Sequence, residues 1–142
     1  SNWPVQIKLA PVNAPYFQGC DLLVAADCTA FAYGAFHEDF LKGRVCLIGC
    51  PKLDGVDYTE KLAQIIAANN VRSVRVARMQ VPCCGGLEQA VRRAVAIAGS
   101  QSGSGNGGAV GSGGVVSGVA GAAGIPVQID VISSDGRIVA VE

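Results

Sequence analysis

Short, almost continuously apolar segments constrain the fold of this chain more than any other feature of its sequence. The segments Asp21–Ala26 (DLLVAA) and 44–49 (RVCLIG) lack the alternation of apolar and polar residues that marks a strand exposed on one face. Such segments are typical of parallel strands whose sheet is covered on both faces. Three further apolar runs predict strands at residues 5–9, 73–81 and Val127–Ile132.

Helical patterns separate these predicted strands. They cover three segments, residues 29–41, 59–69 and 87–98. Thr29 and Thr59 are predicted N-caps, and Gly99 is the predicted end of the third helix. Strands that alternate with helices indicate a mainly parallel sheet with right-handed crossovers. The sequence therefore predicts an α/β fold, a single three-layer domain over residues 1–142 with about five strands.

The C-terminal part of the chain departs from this alternation. Residues 129–133 and 137–141 predict a β-hairpin around the turn Asp135-Gly136. Residues 100–124 are almost entirely Gly, Ser, Ala and Val, without a charged or aromatic residue, which predicts a flexible insertion. A nucleotide-cradling loop is the alternative, but neither a Walker lysine nor the spacing of a dinucleotide fingerprint accompanies the glycines.

Composition excludes several classes of function. Basic and acidic residues balance at 11 each and aromatic residues are few, so a nucleic-acid interface is not expected. No apolar run reaches the roughly 18 residues of a membrane span, and the first ten residues lack the pattern of a signal peptide. We therefore expect a cytoplasmic protein without a membrane partner. Six cysteines in such a chain indicate metal or redox chemistry rather than a disulfide framework.

Four of the six cysteines occupy equivalent places in the predicted topology. Cys28 and Cys50 each follow a predicted strand, and the pair Cys83-Cys84 follows a third. Because parallel strands end at one edge of a sheet, these residues are expected to converge where open α/β folds bind their ligands. Clustered thiolates suit a soft metal or an iron–sulfur cluster.

The residues around this edge support the prediction without specifying the metal. Pro51, Pro82 and Gly85-Gly86 favour turns beside the cysteines, and Lys52 can offset thiolate charge. No CxxC motif of a zinc ribbon or a ferredoxin is present. No role in the site is predicted for the other reactive or charged residues near it. Cys20 and Cys46 are predicted to pack in the core, and His37 is predicted to be a solvated side chain. Asp27 and Asp54 are predicted to be surface or capping carboxylates.

Several segments also resemble a known protein family. SNWPVQIKL, APYFQG, DLLVAADC, LIGCPKLD and VPCCGGL are similar to the C-terminal domain of ferredoxin-type iron–sulfur proteins of anaerobic microbes. The resemblance covers about the first 98 residues and the terminal hairpin. It implies redox work, with Cys28, Cys50, Cys83 and Cys84 as cluster ligands. The chain departs from that family in lacking the preceding ferredoxin motifs and in carrying the Gly/Ser-rich segment.

Two more distant resemblances point in the same direction. One is to the delta-type iron–sulfur subunit of methanogen hydrogenases, a small α/β domain. The other is between the Cys-Cys-Gly sequence and the catalytic subunits of heterodisulfide reductases. The latter carry a further CxxC that this chain lacks, so disulfide-cleaving activity of that kind is not expected.

The expected function is an iron–sulfur module for electron transfer or redox sensing rather than a stand-alone enzyme. The cluster can be 4Fe–4S or 2Fe–2S, and a ferredoxin-type domain or another redox protein is the expected partner. A structural Cys₄ zinc domain is one alternative. A thiol–disulfide protein that uses Cys83 and Cys84 is the other, since adjacent cysteines form only a strained, easily reduced disulfide.

Overall fold

A five-stranded sheet forms the centre of the structure. A computed structural model describes the backbone of residues 2–105 and 124–142 and the side chains of residues 2–99 and 124–142. The strands are β1 (Asp21–Ala26), β2 (Val45–Gly49), β3 (Ser73–Met79), β4 (Val127–Ile132) and β5 (Ile138–Val141). Their order is β2-β1-β3-β4-β5, with β1 to β4 parallel and β5 antiparallel to β4. The predicted α/β class and C-terminal hairpin are confirmed.

Helices cover both faces of this sheet. They are α1 (Thr29–Ala32), α2 (Pro51–Asp54), α3 (Thr59–Ala68) and α4 (Gly85–Gly105). Single turns of 3₁₀-helix lie at Pro15–Phe17 and Pro82–Cys84, and a π-helical turn lies at His37–Leu41. Right-handed crossovers put α3 and α4, which pack together, on one face and the helical turns after β1 on the other. Arg75 of β3 lies 4.4 Å from the ring centroid of Phe40 on that second face.

The hairpin depends on one glycine. Gly136 has a φ of +87°, a conformation that residues with a Cβ rarely adopt. A Cβ at this position would also lie 2.5 Å from the carbonyl oxygen of Ala32. The turn predicted at Asp135-Gly136 therefore needs glycine for both reasons.

The prediction of a strand at residues 5–9 is wrong. Only Val5 and Ile7 bond to the backbone of Ile48 at the outer side of β2, with N···O distances of 2.7 and 3.0 Å. The chain then turns, because the N–H groups of Leu9 and Ala10 both donate to the carbonyl oxygen of Gln6. This segment therefore pairs with the edge strand β2 through one isolated bridge and adds no further strand to the sheet.

The helix predicted at residues 29–41 is interrupted. Tyr33 has an extended backbone (φ −104°, ψ 111°), and Gly34 follows it. The Tyr33 ring packs edge-on against Phe40 at 5.2 Å, and its hydroxyl donates to Asp39 at 2.6 Å. These contacts between the two halves favour two short helical turns over one continuous helix. His37 lies exposed on the second turn, as predicted.

The third helix does not end at Gly99. It continues to Gly105. A glycine in a helix costs about 1 kcal/mol relative to alanine, which weakens the helix but does not have to end it. Of the predicted insertion at 100–124, residues 106–123 lie outside the described residues.

Cys20 and Cys46 are packing residues, as predicted. They are 9% and 3% exposed and belong to the hydrophobic core. Burial raises the pKa of the Cys20 thiol to about 11 and that of the Cys46 thiol to about 12.

No helix within residues 2–105 and 124–142 combines the length and the apolar character that crossing a membrane requires.

Candidate functional site

The carboxyl edge of the sheet contains the point where the strand order reverses. From β1 the chain passes outward to β2 and then returns across β1 to β3, so the loops after β1 and β3 leave the sheet toward opposite faces. Open α/β folds bind ligands in the crevice at such a switch point. Cys28 follows β1 and the Pro82–Cys84 turn follows β3, so the loops on both sides of the crevice contribute cysteines.

Cys28 occupies the N-cap position of α1. Its side chain is exposed, and its carbonyl oxygen accepts hydrogen bonds from the N–H groups of Phe31 and Ala32 at 3.2 and 3.0 Å. The next residue, Thr29, is buried and donates its hydroxyl to the carbonyl oxygen of Ala26 at 2.7 Å. This bond ties the start of α1 to the end of β1 and leaves the Cys28 thiol at the surface.

Cys50 occupies the N-cap position of α2 and is half-buried. Its carbonyl oxygen accepts from the Asp54 N–H at 2.9 Å, while its own N–H donates to the Tyr58 hydroxyl at 3.0 Å. The short helix α2 was not predicted. Its signals are Pro51 at the first turn and Gly55 with a φ of +63° after the last, but four residues are too few to show a helical period.

Cys83 and Cys84 share the 3₁₀ turn after β3. In a regular strand neighbouring side chains point to opposite faces, so the pair can share a site only if the backbone turns. The turn is present, closed by the Cys84 N–H donating to the Val81 carbonyl oxygen at 3.1 Å. Cys83 is exposed, whereas Cys84 is 6% exposed. Burial raises the pKa of the Cys84 thiol.

The four cysteines share one edge of the sheet but do not form a closed ligand shell. Within the described residues, no three side chains of His, Cys, Asp or Glu lie close enough together to hold one metal ion. The chemistry of the donor set fits an iron–sulfur cluster, since thiolates are the usual ligands of such clusters. The ligand set Cys28, Cys50, Cys83 and Cys84 stays a prediction, and loading the site would require these loops to move together.

Arg78 is the cation next to the cysteine pair, and the sequence reasoning missed it in favour of Lys52. The Arg78 guanidinium donates to the carbonyl oxygens of Met79 and Val81 at 3.2 and 3.3 Å and to Glu88 at 2.9 Å. Its charge partly offsets the rise in the pKa of Cys84. Lys52 lies exposed on α2. The signal that was available is an arginine at the second-last position of the strand that leads to the cysteine pair.

A polar cluster lies beside Cys28 and Cys50. It contains Asp27 and Asp54, which were predicted to be surface or capping carboxylates, and Tyr58, which the sequence reasoning missed. The Asp27 Oδ1 atom is buried and has no hydrogen-bond partner within the described residues. Its burial and the nearby Asp54 raise the pKa of Asp27. The Tyr58 hydroxyl donates to Asp54, and burial followed by this bond raises the pKa of Tyr58. An unpaired carboxylate at a strand end is a feature that occurs at ligand sites.

Large apolar side chains stand exposed around the same edge. Phe31 of α1 is 92% exposed and Leu53 of α2 is 81% exposed. A pocket of about 390 Å³ lies between α2 and the start of α4, and its lining includes Pro51, Pro82 and Arg93. The edge therefore combines thiols, an unpaired carboxylate and exposed apolar groups.

Comparison with known proteins bears on the fold. A family model described as "Rossmann-like domain" matches residues 14–107. An uncharacterized protein of Archaeoglobus fulgidus is 33% identical over 92 residues. That alignment covers 65% of this chain and 65% of the relative, which is less than two thirds of the relative's length. No solved structure matches the chain.

Proposed function

The chain belongs to the Rossmann-like domain family, and on that premise we propose that it is an iron–sulfur redox module whose cluster is bound at the carboxyl edge of the sheet. The observation that carries the proposal is that three neighbouring strands each deliver cysteines to this one edge, on both sides of the switch point. The resemblance of AADC, GCPK and PCCGG to segments of ferredoxin-type iron–sulfur proteins supports the same conclusion.

Cys28, Cys50, Cys83 and Cys84 would hold the cluster, which can be 4Fe–4S or 2Fe–2S. When bound, it supplies one-electron transfer. Arg78, which is paired with Glu88, would offset a part of the negative charge of the thiolates, and one of the four cysteines, Cys84, is buried in the core. With all four thiolates bound to iron, no open coordination position remains for a substrate, which favours electron transfer or sensing over catalysis.

The proposed partner is a ferredoxin-type domain or another redox protein, in the cytoplasm. Electron transfer requires the partner to approach the cysteine edge closely. Phe31 and Leu53, the exposed apolar side chains on α1 and α2, are suited to contact with such a partner. Phe31→Ser together with Leu53→Ser should slow reduction by a small ferredoxin and leave reduction by dithionite unchanged.

The test is the metal content of protein prepared without oxygen and supplied with iron and sulfide. Iron and inorganic sulfide in a fixed ratio to the chain, with visible absorption that bleaches on reduction, would support the proposal. Stoichiometric zinc with no colour would replace it with a structural Cys₄ site.

A thiol–disulfide function of Cys83 and Cys84 is the second candidate, favoured by the 3₁₀ turn that holds the two adjacent cysteines together after β3. Metal-free protein with two titratable thiols at this pair, lost on mild oxidation and regained on reduction, would favour it. An adjacent-residue disulfide is strained and would be reduced easily.

A further inference from the structure

Tyr58 connects the start of α3 to the backbone of Cys50. It is 2% exposed and lies eight residues after Cys50, beyond the whole of α2. Its hydroxyl accepts the Cys50 N–H at 3.0 Å and donates its own hydrogen to Asp54. Because a hydroxyl has a single hydrogen, the bond to Asp54 leaves the tyrosine oxygen free to act only as an acceptor toward Cys50.

The end of β2 is shaped to admit this ring. A Cβ at Gly49 would lie 2.7 Å from the Tyr58 oxygen and 2.8 Å from the ring carbon that carries it. Carbon atoms essentially never approach so closely, so any larger residue at position 49 would push the ring away from Cys50. Gly49, Asp54 and Tyr58 thus form one contact set around the Cys50 backbone.

From this geometry we propose that Tyr58 is a positioning residue for Cys50, with Asp54 orienting the Tyr58 hydroxyl. The inference deepens the proposed function, because it treats Cys50 as a ligand. Tyr58 fixes the backbone at the point where β2 passes into α2, and this determines where the thiol stands. It also occupies the Cys50 N–H, which would otherwise be available to bond a cluster sulfur and raise the reduction potential.

The first experiment is Tyr58→Phe, which removes the hydroxyl and keeps the ring. Tyr16→Phe is the matched control, since the Tyr16 hydroxyl is buried without a hydrogen-bond partner in the described part of the chain. In cluster-loaded protein, Tyr58→Phe should shift the reduction potential to a more positive value and change the electron paramagnetic resonance spectrum of the reduced cluster. Tyr16→Phe should match the wild type in both.

The second experiment does not depend on a cluster. In metal-free protein, Cys50 should react with iodoacetamide several-fold faster in Tyr58→Phe than in the wild type, relative to Cys28 in the same sample. Cys28 is exposed and serves as the internal reference. If the wild type binds no cluster but this acceleration is seen, the proposed function fails and the positioning role stands.

Asp54 provides a second pair of variants should Tyr58→Phe fail to fold. Asp54→Asn keeps an acceptor for the Tyr58 hydroxyl and should behave as the wild type, whereas Asp54→Ala should reproduce the faster Cys50 alkylation. The same Cys50 alkylation rate and the same spectrum in Tyr58→Phe, Asp54→Ala and Tyr16→Phe would overturn the inference.

Discussion

The two ends of β1 carry an aspartate in opposite circumstances. Asp21, at the amino end, accepts hydrogen bonds from Arg72 at 2.7 Å and Ser73 at 2.6 Å, and these lower its pKa to about 2. Asp27, just beyond the carboxyl end, has a buried oxygen with no partner in the described residues and a raised pKa. A strand end whose polar groups are satisfied contributes to stability, whereas an end with unpaired groups is available to a ligand.

β2 repeats this contrast with cysteines. Cys46, in the middle of the strand, is 3% exposed and packs in the core. Cys50, at the carboxyl end, is half-buried, and its backbone is held by Tyr58. Position along the strand, rather than residue type, therefore separates the packing cysteines from the candidate ligands.

The largest effect is expected from unpairing a carboxylate in the middle of the sheet. Asp130 is 1% exposed and bonds to the Arg75 guanidinium at 2.9 and 3.1 Å. Arg75→Met should lower the free energy of unfolding by about 3 kcal/mol, because it removes the cationic partner of a buried carboxylate and leaves it only the hydrogen bond from Gln128. Arg137→Met, which breaks the exposed pair with Asp135, should cost less than about 1 kcal/mol. Urea unfolding measures both losses. Equal losses of unfolding free energy in Arg75→Met and Arg137→Met would contradict the greater importance of the buried pair.

A smaller effect is expected at Cys46. Cys46→Ser should cost about 1–3 kcal/mol, because the serine hydroxyl is buried among apolar groups without a partner. Cys50→Ser should cost less in metal-free protein, since its side chain is half-buried. Thermal unfolding of the two metal-free variants measures the difference, and a larger loss for Cys50→Ser would break the comparison between the two positions.

At the amino end of β1, Asp21→Asn should cost about 0.5–1 kcal/mol at pH 7, because the pair with Arg72 is largely exposed. The pKa of Asp21 is lower in the folded than in the unfolded chain. Its contribution is therefore fully present above the ordinary aspartate pKa and is lost as the pH falls toward about 2. Unfolding of the variant and the wild type should converge across that acidic range, and a constant difference would contradict the assignment.

The smallest effect on stability is expected just beyond the carboxyl end of β1, where a substitution should stabilise the protein. The pKa of Asp27 is higher in the folded than in the unfolded chain, so its ionised form opposes folding above the folded pKa. Asp27→Asn should therefore stabilise the metal-free protein at pH 7 by less than about 1 kcal/mol, and the gain should vanish below the ordinary aspartate pKa. A loss of stability at pH 7 would mean that Asp27 has a favourable partner.

The sequence predicted the sheet well because β1 and β2 are almost continuously apolar, which is typical of parallel strands covered on both faces. β1 and β4 have the predicted bounds, and the cysteines follow the strands that were expected to deliver them. The segment 5–9 was mistaken for a strand because apolar content alone does not distinguish a strand from a covering loop. Tyr33 interrupts a helix through ring contacts that no periodicity records.

The polar part of the site was harder to predict. Asp27 lies near Asp54 only because β1 and β2 are neighbours, and Tyr58 reaches Cys50 only because α2 folds back between them. Such contacts depend on the tertiary arrangement, whereas the cysteines could be grouped from topology alone. Binding a cluster would also require the loops that carry the four cysteines to move together, and a sequence pattern does not encode such a movement.

The most direct test of the central claim is the iron content of the six single Cys→Ser variants, loaded without oxygen beside the wild type. The account predicts that Cys28→Ser, Cys50→Ser, Cys83→Ser and Cys84→Ser lose the cluster or bind it weakly, while Cys20→Ser and Cys46→Ser keep wild-type iron per folded chain. Loss of the cluster in Cys46→Ser with retention in Cys84→Ser or Cys50→Ser would contradict it.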